Sequence, residues 1–420
     1  MAQIKYSVNL SAADFTFSFS FKGPSVVIPG PDQNYFQATA GWSGDTPQRG
    51  TNIPQMMYCE NTVPTAEGYR SVAYKFFIEP AVPTQRFVRY FPLFEGTGSS
   101  ALVGLTADRK LWVLRASTGG EWVETSFVNW VDDPVGAGSG YPVLPAWTEP
   151  GQVTTTTYAN SFGTICIQGV GILGLNDTVH RWLQFPIEGI DPTLINGVCS
   201  SSGYFIAWDD TRVYWSSTEA PYDFTPSLIT GAGSAGIDGL KGKIKLCKEI
   251  GGGFIIYSDV SIISAAYSSN QAIPWIFDVL AGGAGIRKAE AVSADINSQI
   301  HFAWTTGGLM AIELHQVKPM FPQLTDFIAS GISDKTTSLT AYPTIDYLDE
   351  YKEVYAAVIS SRYLCISFGT VSEPLTNEYP IPHLTQSFLY DLQLKRWGKL
   401  NVDHVQIFEA PFVAKQPVFF

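Results

Sequence analysis

Between Gly203 and Leu314 the chain alternates apolar and polar residues in pairs of short runs, and each pair is joined by a turn. GYFIAWDDTRVYWSS (203–217) reads as strand, Asp209-Asp210-Thr211 turn, strand. GGFIIYSDVSIISAAY (252–267) repeats the pattern around Ser258-Asp259, and SQIHFAWTTGGLMAIEL (298–314) repeats it around Thr306-Gly307-Gly308. A side-chain period of two on both sides of a two- to three-residue Gly/Asp turn predicts a β-hairpin, because strand side chains alternate between faces and such turns need φ > 0. The three hairpins begin about 50 and 46 residues apart. A repeat of roughly 40 to 50 residues predicts one four-stranded sheet per unit, the blade of a β-propeller.

The pattern extends beyond this core. ALVGLTADRKLWVLRAS (101–117) predicts a hairpin turning at Ala107–Lys110, and SFGTICIQGVGILGLNDTVHRWLQF (161–185) has a turn at Asn176-Asp177. EVYAAVISSRYLCISFG (353–369) and TQSFLYDLQLKRWGKL (385–400) follow. In the last, Tyr390-Asp391 followed by Lys395-Arg396-Trp397 resembles the outer hairpin of kelch-type blades. Hairpins starting near 101, 162, 203, 253, 299 and 353 predict six blades, or seven if residues 69–92 pair with the end of the chain. Trp208, Trp215, Trp304 and Trp397 are expected between blades. No long 3.6-residue periodicity occurs, so helices should be few and short.

Residues 1–60 read differently from the propeller expected over 61–420. Phe15, Phe17, Phe19 and Phe21 alternate with Thr16, Ser18 and Ser20, which predicts a strand with a wholly aromatic face. It is either a sheet strand of this subunit or an arm that adds to a neighbouring chain's sheet, and these four residues are candidate inter-subunit contacts. Pro- and Gly-rich segments then read as an extended connection, and VDDPVGAGSGYPVLPAWTEPGQV (131–153) reads as a long irregular loop suited to contact.

Composition narrows the function classes. Hydrophobic residues at 45% supply ample core, while charged residues make up only 15%, against about 25% in an average soluble protein. Such a surface suits a subunit whose faces are covered by partners, and equally a lone all-β protein with neutral loops. A net charge of −12 argues against a protein that grips nucleic acid; a conduit through which DNA slides without sticking fits the same number. Five scattered cysteines with no CxxC pair read as buried free thiols in a reducing compartment. The opening MAQIKYSVNLSAADF lacks the apolar core of a signal peptide, and no run of eighteen apolar residues suggests a membrane span.

No motif points to catalysis or to a cofactor. GAGSAG (231–236) matches G-x-G-x-x-G by letter but is followed by IDGLKGKIKLC, a strand pattern, where pyrophosphate binding needs a helix N-terminus. The five histidines are dispersed, and only His301 and His315 share a hairpin, without a third metal ligand. Asp132-Asp133, Asp209-Asp210 and Asp349-Glu350 fall on predicted turns. Basic residues cluster only in LKGKIKLCKE, where Lys241, Lys243 and Lys245 would share one strand face, either solvated or placed to meet phosphates of DNA in a lumen.

Two stretches carry a family resemblance. YCENTVPTAEGYRSVAYKFF (58–77) leads from an Asn-containing run through a short polar link into Gly-Tyr-Arg-Ser, and VYWSSTEAPYDFTPS (213–227) places Asp-Phe-Thr-Pro after a Trp-Ser-Ser strand end. Both resemble virion proteins related to the tail hub or nozzle of short-tailed bacteriophages, the group that includes packaged-DNA-stabilisation proteins. The resemblance implies a non-enzymatic, cofactor-free subunit of a homo-oligomeric, sixfold ring, assembled in the host cytoplasm into the virion tail. Its implied partners are the portal and head-to-tail adaptor, tail fibres or spikes, and double-stranded DNA passing without specific binding. A receptor- or glycan-binding propeller, even a depolymerase, and an intracellular kelch-like scaffold are the alternatives.

Overall fold

Six sheets, antiparallel but for one parallel pair, succeed one another among the described residues of a computed structural model, preceded by two hairpins and followed by one. It describes residues 5–7, 16–18, 62–65, 68–71, 87–94, 100–108, 110–115, 122–129, 152–158, 162–176, 181–184, 187–270, 272–295, 298–321, 353–359, 361–371, 381–400, 404–409 and 417–419. Strands β1 (Lys5–Ser7) and β2 (Thr16–Ser18) pair with one another, as do β3 (Thr62–Thr65) and β4 (Gly68–Ser71).

Blade 1 comprises β5 (Phe87–Phe94), β6 (Ser100–Thr106), β7 (Leu111–Arg115) and β8 (Trp122–Glu124). Blade 2 has five strands: β9 (Ser126–Asn129), β10 (Val153–Tyr158), β11 (Phe162–Ile167), β12 (Gly171–Asn176) and β13 (Arg181–Gln184). There β9 lies outermost, parallel to β13. Blade 3 comprises β14 (Gly197–Ser201), β15 (Tyr204–Trp208), β16 (Arg212–Trp215) and β17 (Gly233–Gly236). Blade 4 comprises β18 (Ile244–Ile250), β19 (Gly253–Ser258), β20 (Ser261–Tyr267) and β21 (Trp275–Gly282).

Blade 5 comprises β22 (Val292–Ala294), β23 (His301–Thr305), β24 (Gly308–Glu313) and β25 (Gln316–Pro319). Blade 6 comprises β26 (Glu353–Ile359), β27 (Tyr363–Val371), β28 (Pro382–Asp391) and β29 (Arg396–Leu400). The closing hairpin pairs β30 (Ile407–Glu409) with β31 (Pro417–Phe419).

The fold is therefore an all-β, six-bladed propeller. The seven-blade alternative does not form: Gly68–Ser71 pairs with β3, and Phe87–Phe94 is the first strand of blade 1. The hairpins expected near 101, 162, 203, 253 and 299 are the second and third strands of blades 1 to 5. The one expected near 353 is instead the first and second strands of blade 6. Helical structure among the described residues is limited to two 3-10 turns, Pro192–Leu194 and Ala289–Ala291. Of the aromatic arm only Thr16–Ser18 is described, as strand backbone, so the contacts expected of Phe15, Phe17, Phe19 and Phe21 lie outside the described residues. Residues 131–151 of the long loop do as well.

First strands of neighbouring blades pack side by side, β5 on β10, β10 on β14, β14 on β18 and β22 on β26, so they line the axis. Apolar side chains of one sheet pack on those of the next from blade 1 to blade 6. Leu93, Leu105 and Val113 of blade 1 meet Ile165 and Leu173 of blade 2. Cys166 and Ile172 meet Val198, Phe205 and Phe224 at the next junction. Tyr204, Trp208 and Trp215 pack on Leu246, Cys247 and Phe254 of blade 4, and Phe302, Trp304 and Leu309 pack on Leu364, Phe368 and Phe388 of blade 6.

Trp208, Trp215 and Trp304 take the places the sequence predicts. Trp208 is fully buried, and Gly197 makes room for it, since a Cβ there would come within 2.3 Å of its ring. Trp215 donates its indole N–H to the Gly231 carbonyl (2.8 Å) while its ring lies against Gly233. Trp304 meets Phe368 edge to face at 5.1 Å. The Trp397 side chain lies outside the described residues. Trp275, which the sequence pattern did not single out, is packed edge-on by Tyr204 and Phe254.

Trp208→Ala is expected to cost about 3 to 5 kcal/mol by opening a cavity between blades 3 and 4. Trp208→Phe should cost less, because the indole nitrogen makes no hydrogen bond. Denaturant unfolding of the two variants, compared at equal m-value, checks both.

Candidate functional site at the propeller axis

A first strand has a ladder partner on one side only, so its axial edge exposes backbone donors and acceptors that need other partners. Here side chains from other blades supply them. Thr154 Oγ1 of β10 accepts from the Val198 N–H of β14 (2.9 Å). Ser293 Oγ of β22 accepts from the Val358 N–H of β26 (2.8 Å). The Glu249 carbonyl of β18 receives His301 Nε2 of β23 (2.6 Å), and the Lys245 carbonyl receives the Gln152 side-chain amide, also at 2.6 Å.

The join between the last and first blades uses Gln406, from the segment after blade 6. Its Oε1 accepts from the Tyr90 N–H and its Nε2 donates to the Tyr90 carbonyl, both at 2.9 Å, and the same amide donates to the Tyr355 hydroxyl at 2.5 Å. One buried amide thus satisfies both backbone groups of a blade 1 residue and touches the first strand of blade 6. The main chain beside it is anchored by reciprocal bonds between Leu384 and His404 (2.8 and 3.0 Å). The hairpin of β3 and β4 packs through β3 against β28 and β29, so both ends of the described propeller meet on blade 6.

Charged groups gather near this join. Arg89 of β5 pairs with Glu290, just ahead of β22, at 2.9 Å. Lys288 pairs with the nearly buried Glu353 at the start of β26. The Arg89–Glu290 pair skips blade 6, and the Gln152–Lys245 bond skips blade 3, so the axis is spanned on two sides by ties that join non-adjacent blades.

The predicted basic stripe does not form on one strand face. β18 begins only at Ile244, and Gly242, with φ +79°, turns the chain between Lys241 and Lys243. Lys243 is committed to Asp210 (2.6 Å), whose other oxygen accepts from the Asn196 amide (2.8 Å). The ammonium beside it and the Asn196 amide hold the Asp210 carboxyl below its ordinary range. Asn196 in turn accepts from Gln168 (2.7 Å), so a polar chain runs along one end of blades 2, 3 and 4. The Lys241 main chain bonds Ser258 and Ser261, with its side chain exposed, and Lys245 is half-buried on β18.

Two constellations have the residue types of catalysis. Ser367 and Ser387 share a hydrogen bond of 2.7 Å, and His404 Nε2 lies 3.0 Å from Ser367 Oγ. All three are buried, and they tie β27 and β28 of blade 6 to the closing segment. In the other, the Glu249 carbonyl can only accept, so His301 carries its proton on Nε2 and its Nδ1 accepts from the Tyr257 hydroxyl at 2.8 Å. Burial, with Lys248 nearby, pushes the His301 imidazole down to about 3. His315, by contrast, is exposed in the turn between β24 and β25, so the two histidines of that hairpin do not meet.

Cys166, Cys199, Cys247 and Cys365 are buried free thiols, each pushed up by desolvation and so held in the unreactive protonated form. Cys59 lies outside the described residues. No cluster of three or more His, Cys, Asp or Glu among the described residues is placed to hold a metal, and no described helix is long and apolar enough to cross a membrane. GAGSAG forms a turn and β17, an outer strand, with Gly231 and Gly233 serving the Trp215 ring. Sequence reasoning missed Gln406, Arg89 and Glu290. Their only signal is a polar residue in an otherwise apolar run, as at Arg89 in FVRYF.

No protein-family profile matches the chain, and no curated protein matches it. Among solved structures it is similar to the N-terminal domain of Nup159, at 9% identity and a TM-score of 0.36 over 62% of each chain. It is similar to a chain in an S. cerevisiae complex of Dbp5 with Nup159, Gle1, IP6 and ADP, at 12% identity and 0.33 over 62% of each. It is also similar to Kluyveromyces lactis Hsv2, at 8% identity and 0.37 over 75% of this chain and 97% of that one. The chain thus covers less than two thirds of the first two matched chains.

Gln406→Leu is expected to destabilise by about 2 to 3 kcal/mol, because it leaves a buried N–H and C=O of Tyr90 without partners. Hydrogen exchange should then show faster opening of blades 1 and 6 than of blades 3 and 4. A second expectation concerns pH. The folded His301 value lies below the unfolded value of 6.5, so the unfolded state takes up the proton first. Stability present above about pH 6.5 is lost as pH falls toward about 3, by an amount on the order of 4 kcal/mol. His301→Gln should flatten this acid limb, measured as unfolding free energy from pH 7 to 4.

Proposed function

We propose that this chain is a structural subunit of a bacteriophage tail that assembles into a ring-shaped hub or nozzle and guides or retains the genome during ejection. The observation that carries the reading is the Tyr58–Phe77 stretch, which resembles the opening of tail hub proteins. Its Thr62–Ser71 portion forms the hairpin that packs on the last blade. Support also comes from a surface poor in charge, a net charge of −12 and a propeller stiffened by ties between non-adjacent blades.

The mechanism is mechanical. Because ties span the propeller's own axis, DNA passes through the opening enclosed by the ring of subunits, and each propeller serves as a solid wall block. An acidic wall repels phosphate, which keeps a sliding duplex from sticking. Pairing of Lys243 with Asp210 removes one of the few charges that would bind it. Portal and adaptor on one side, and fibres or spikes on the other, are the partners this position requires.

Negative-stain images of the purified chain should show rings with a central hole, and chain mixed with portal and adaptor should co-sediment. Compact single particles that stay apart from portal and adaptor would sink the proposal. Glycan-array binding by such particles would point to a carbohydrate-binding propeller instead.

A further inference from the structure

The outer strands of the blades are their exposed edges, and five of the six are protected. β8 is three residues long and ends in Glu124, and β9, the outermost strand of blade 2, is only four residues long. β17 is the four-residue Gly-Ser-Ala-Gly, β25 carries Lys318 and Pro319, and β29 carries Arg396 and Lys399. Short length, proline and charge are the ordinary defences of a free edge.

β21 is the longest of the outer strands and contains no proline. It is eight residues, Trp-Ile-Phe-Asp-Val-Leu-Ala-Gly, with a single charge at Asp278. Its pairing with β20 is regular from Trp275 to Val279, and the register shifts only beyond that point. Ile276 and Val279 are each 51% exposed, and Ile273 just before the strand is 62% exposed. A long edge with exposed apolar side chains is a template for another strand.

We infer that the edge of β21, which pairs with no further strand among the described residues, receives the Phe15–Phe21 arm of a neighbouring copy by strand addition. The occupant is argued from the chain itself. FTFSFSF is seven residues with no charge and strict alternation, close in length to the eight residues of β21. Thr16–Ser18 pairs with β1 along one edge, so the arm offers its other edge to β21 and brings β1 with it as the outer strand, with the arm's aromatic row on one face of the extended sheet and its Ser/Thr row on the other. Residues 22–61, forty in all, separate it from β3, a tether that spans up to about 130 Å when extended and so reaches an adjacent subunit. Arm into edge is a head-to-tail contact, which closes into a ring where the rotation permits. The inference rests on the ring reading above for its geometry.

The test uses the full-length chain in three forms: unchanged, Ile276→Lys/Val279→Lys, and Phe17→Asp/Phe19→Asp. Solution mass is read by light scattering and folding by circular dichroism. Both double variants are expected to fall to the 46.0 kDa monomer mass while keeping the unchanged chain's spectrum. Loss of mass for the edge variant alone would indicate pairing between two β21 edges and would overturn the arm as occupant. An unchanged chain that is already monomeric would overturn docking between copies. A ring insensitive to both variants would overturn the docking and leave the ring reading standing, whereas a non-ring oligomer sensitive to both would do the reverse.

Discussion

The axial edge of the first strands is the constraint on which the rest of this propeller depends. Every blade must bring such an edge to the centre, where the neighbouring first strands approach side-on and do not complete the ladder. An unpaired buried amide or carbonyl costs about 1 to 3 kcal/mol, so several left open would offset much of a domain's net stability. Thr154, Ser293, His301, Gln152 and Gln406 each send a side chain to another blade's backbone at this edge. Junction by junction, the ties make the apolar packing between sheets specific in register as well as favourable in area.

Two consequences bear on function. Ties that skip a blade, Arg89 to Glu290 and Gln152 to Lys245, make the centre of the molecule a braced structure. The catalytic-looking groups are absorbed in the same bracing: Ser367, Ser387 and His404 hold blade 6 to the closing segment, and His301 joins blades 4 and 5. Chemistry that faces outward is left to the blade rims, where β21 differs from the other outer strands in length and in its exposed apolar side chains.

Much of the fold was legible because its signals are local. A strand shows itself through neighbours at period two, and a turn through the side chain that caps it. Asp209 accepts from the N–H groups of Thr211 and Arg212, Ser258 from those of Val260 and Ser261, and Thr305 from that of Gly307. The outer hairpin read at Tyr390-Asp391 turns on a buried Asp391 that accepts from Gln393, Leu394 and Arg362. The stripe of Lys241, Lys243 and Lys245 failed for a local reason too: alternation holds only in extended chain, and Gly242 at positive φ interrupts it.

By itself, then, the amino-acid sequence determined the strands, the turns, the blade repeat and the tryptophans that fill the junctions, because alternation, turn chemistry and side-chain volume act over a few residues. Tertiary structure alone decided which polar groups serve the axis. Gln406 meets Tyr90 across 316 positions of chain, Gln152 meets Lys245 across 93, and His301 meets Tyr257 across 44. No periodicity links such positions. Their contact exists only after six sheets have packed into a ring, when the geometry of closure brings each side chain to an edge that would otherwise lack a partner.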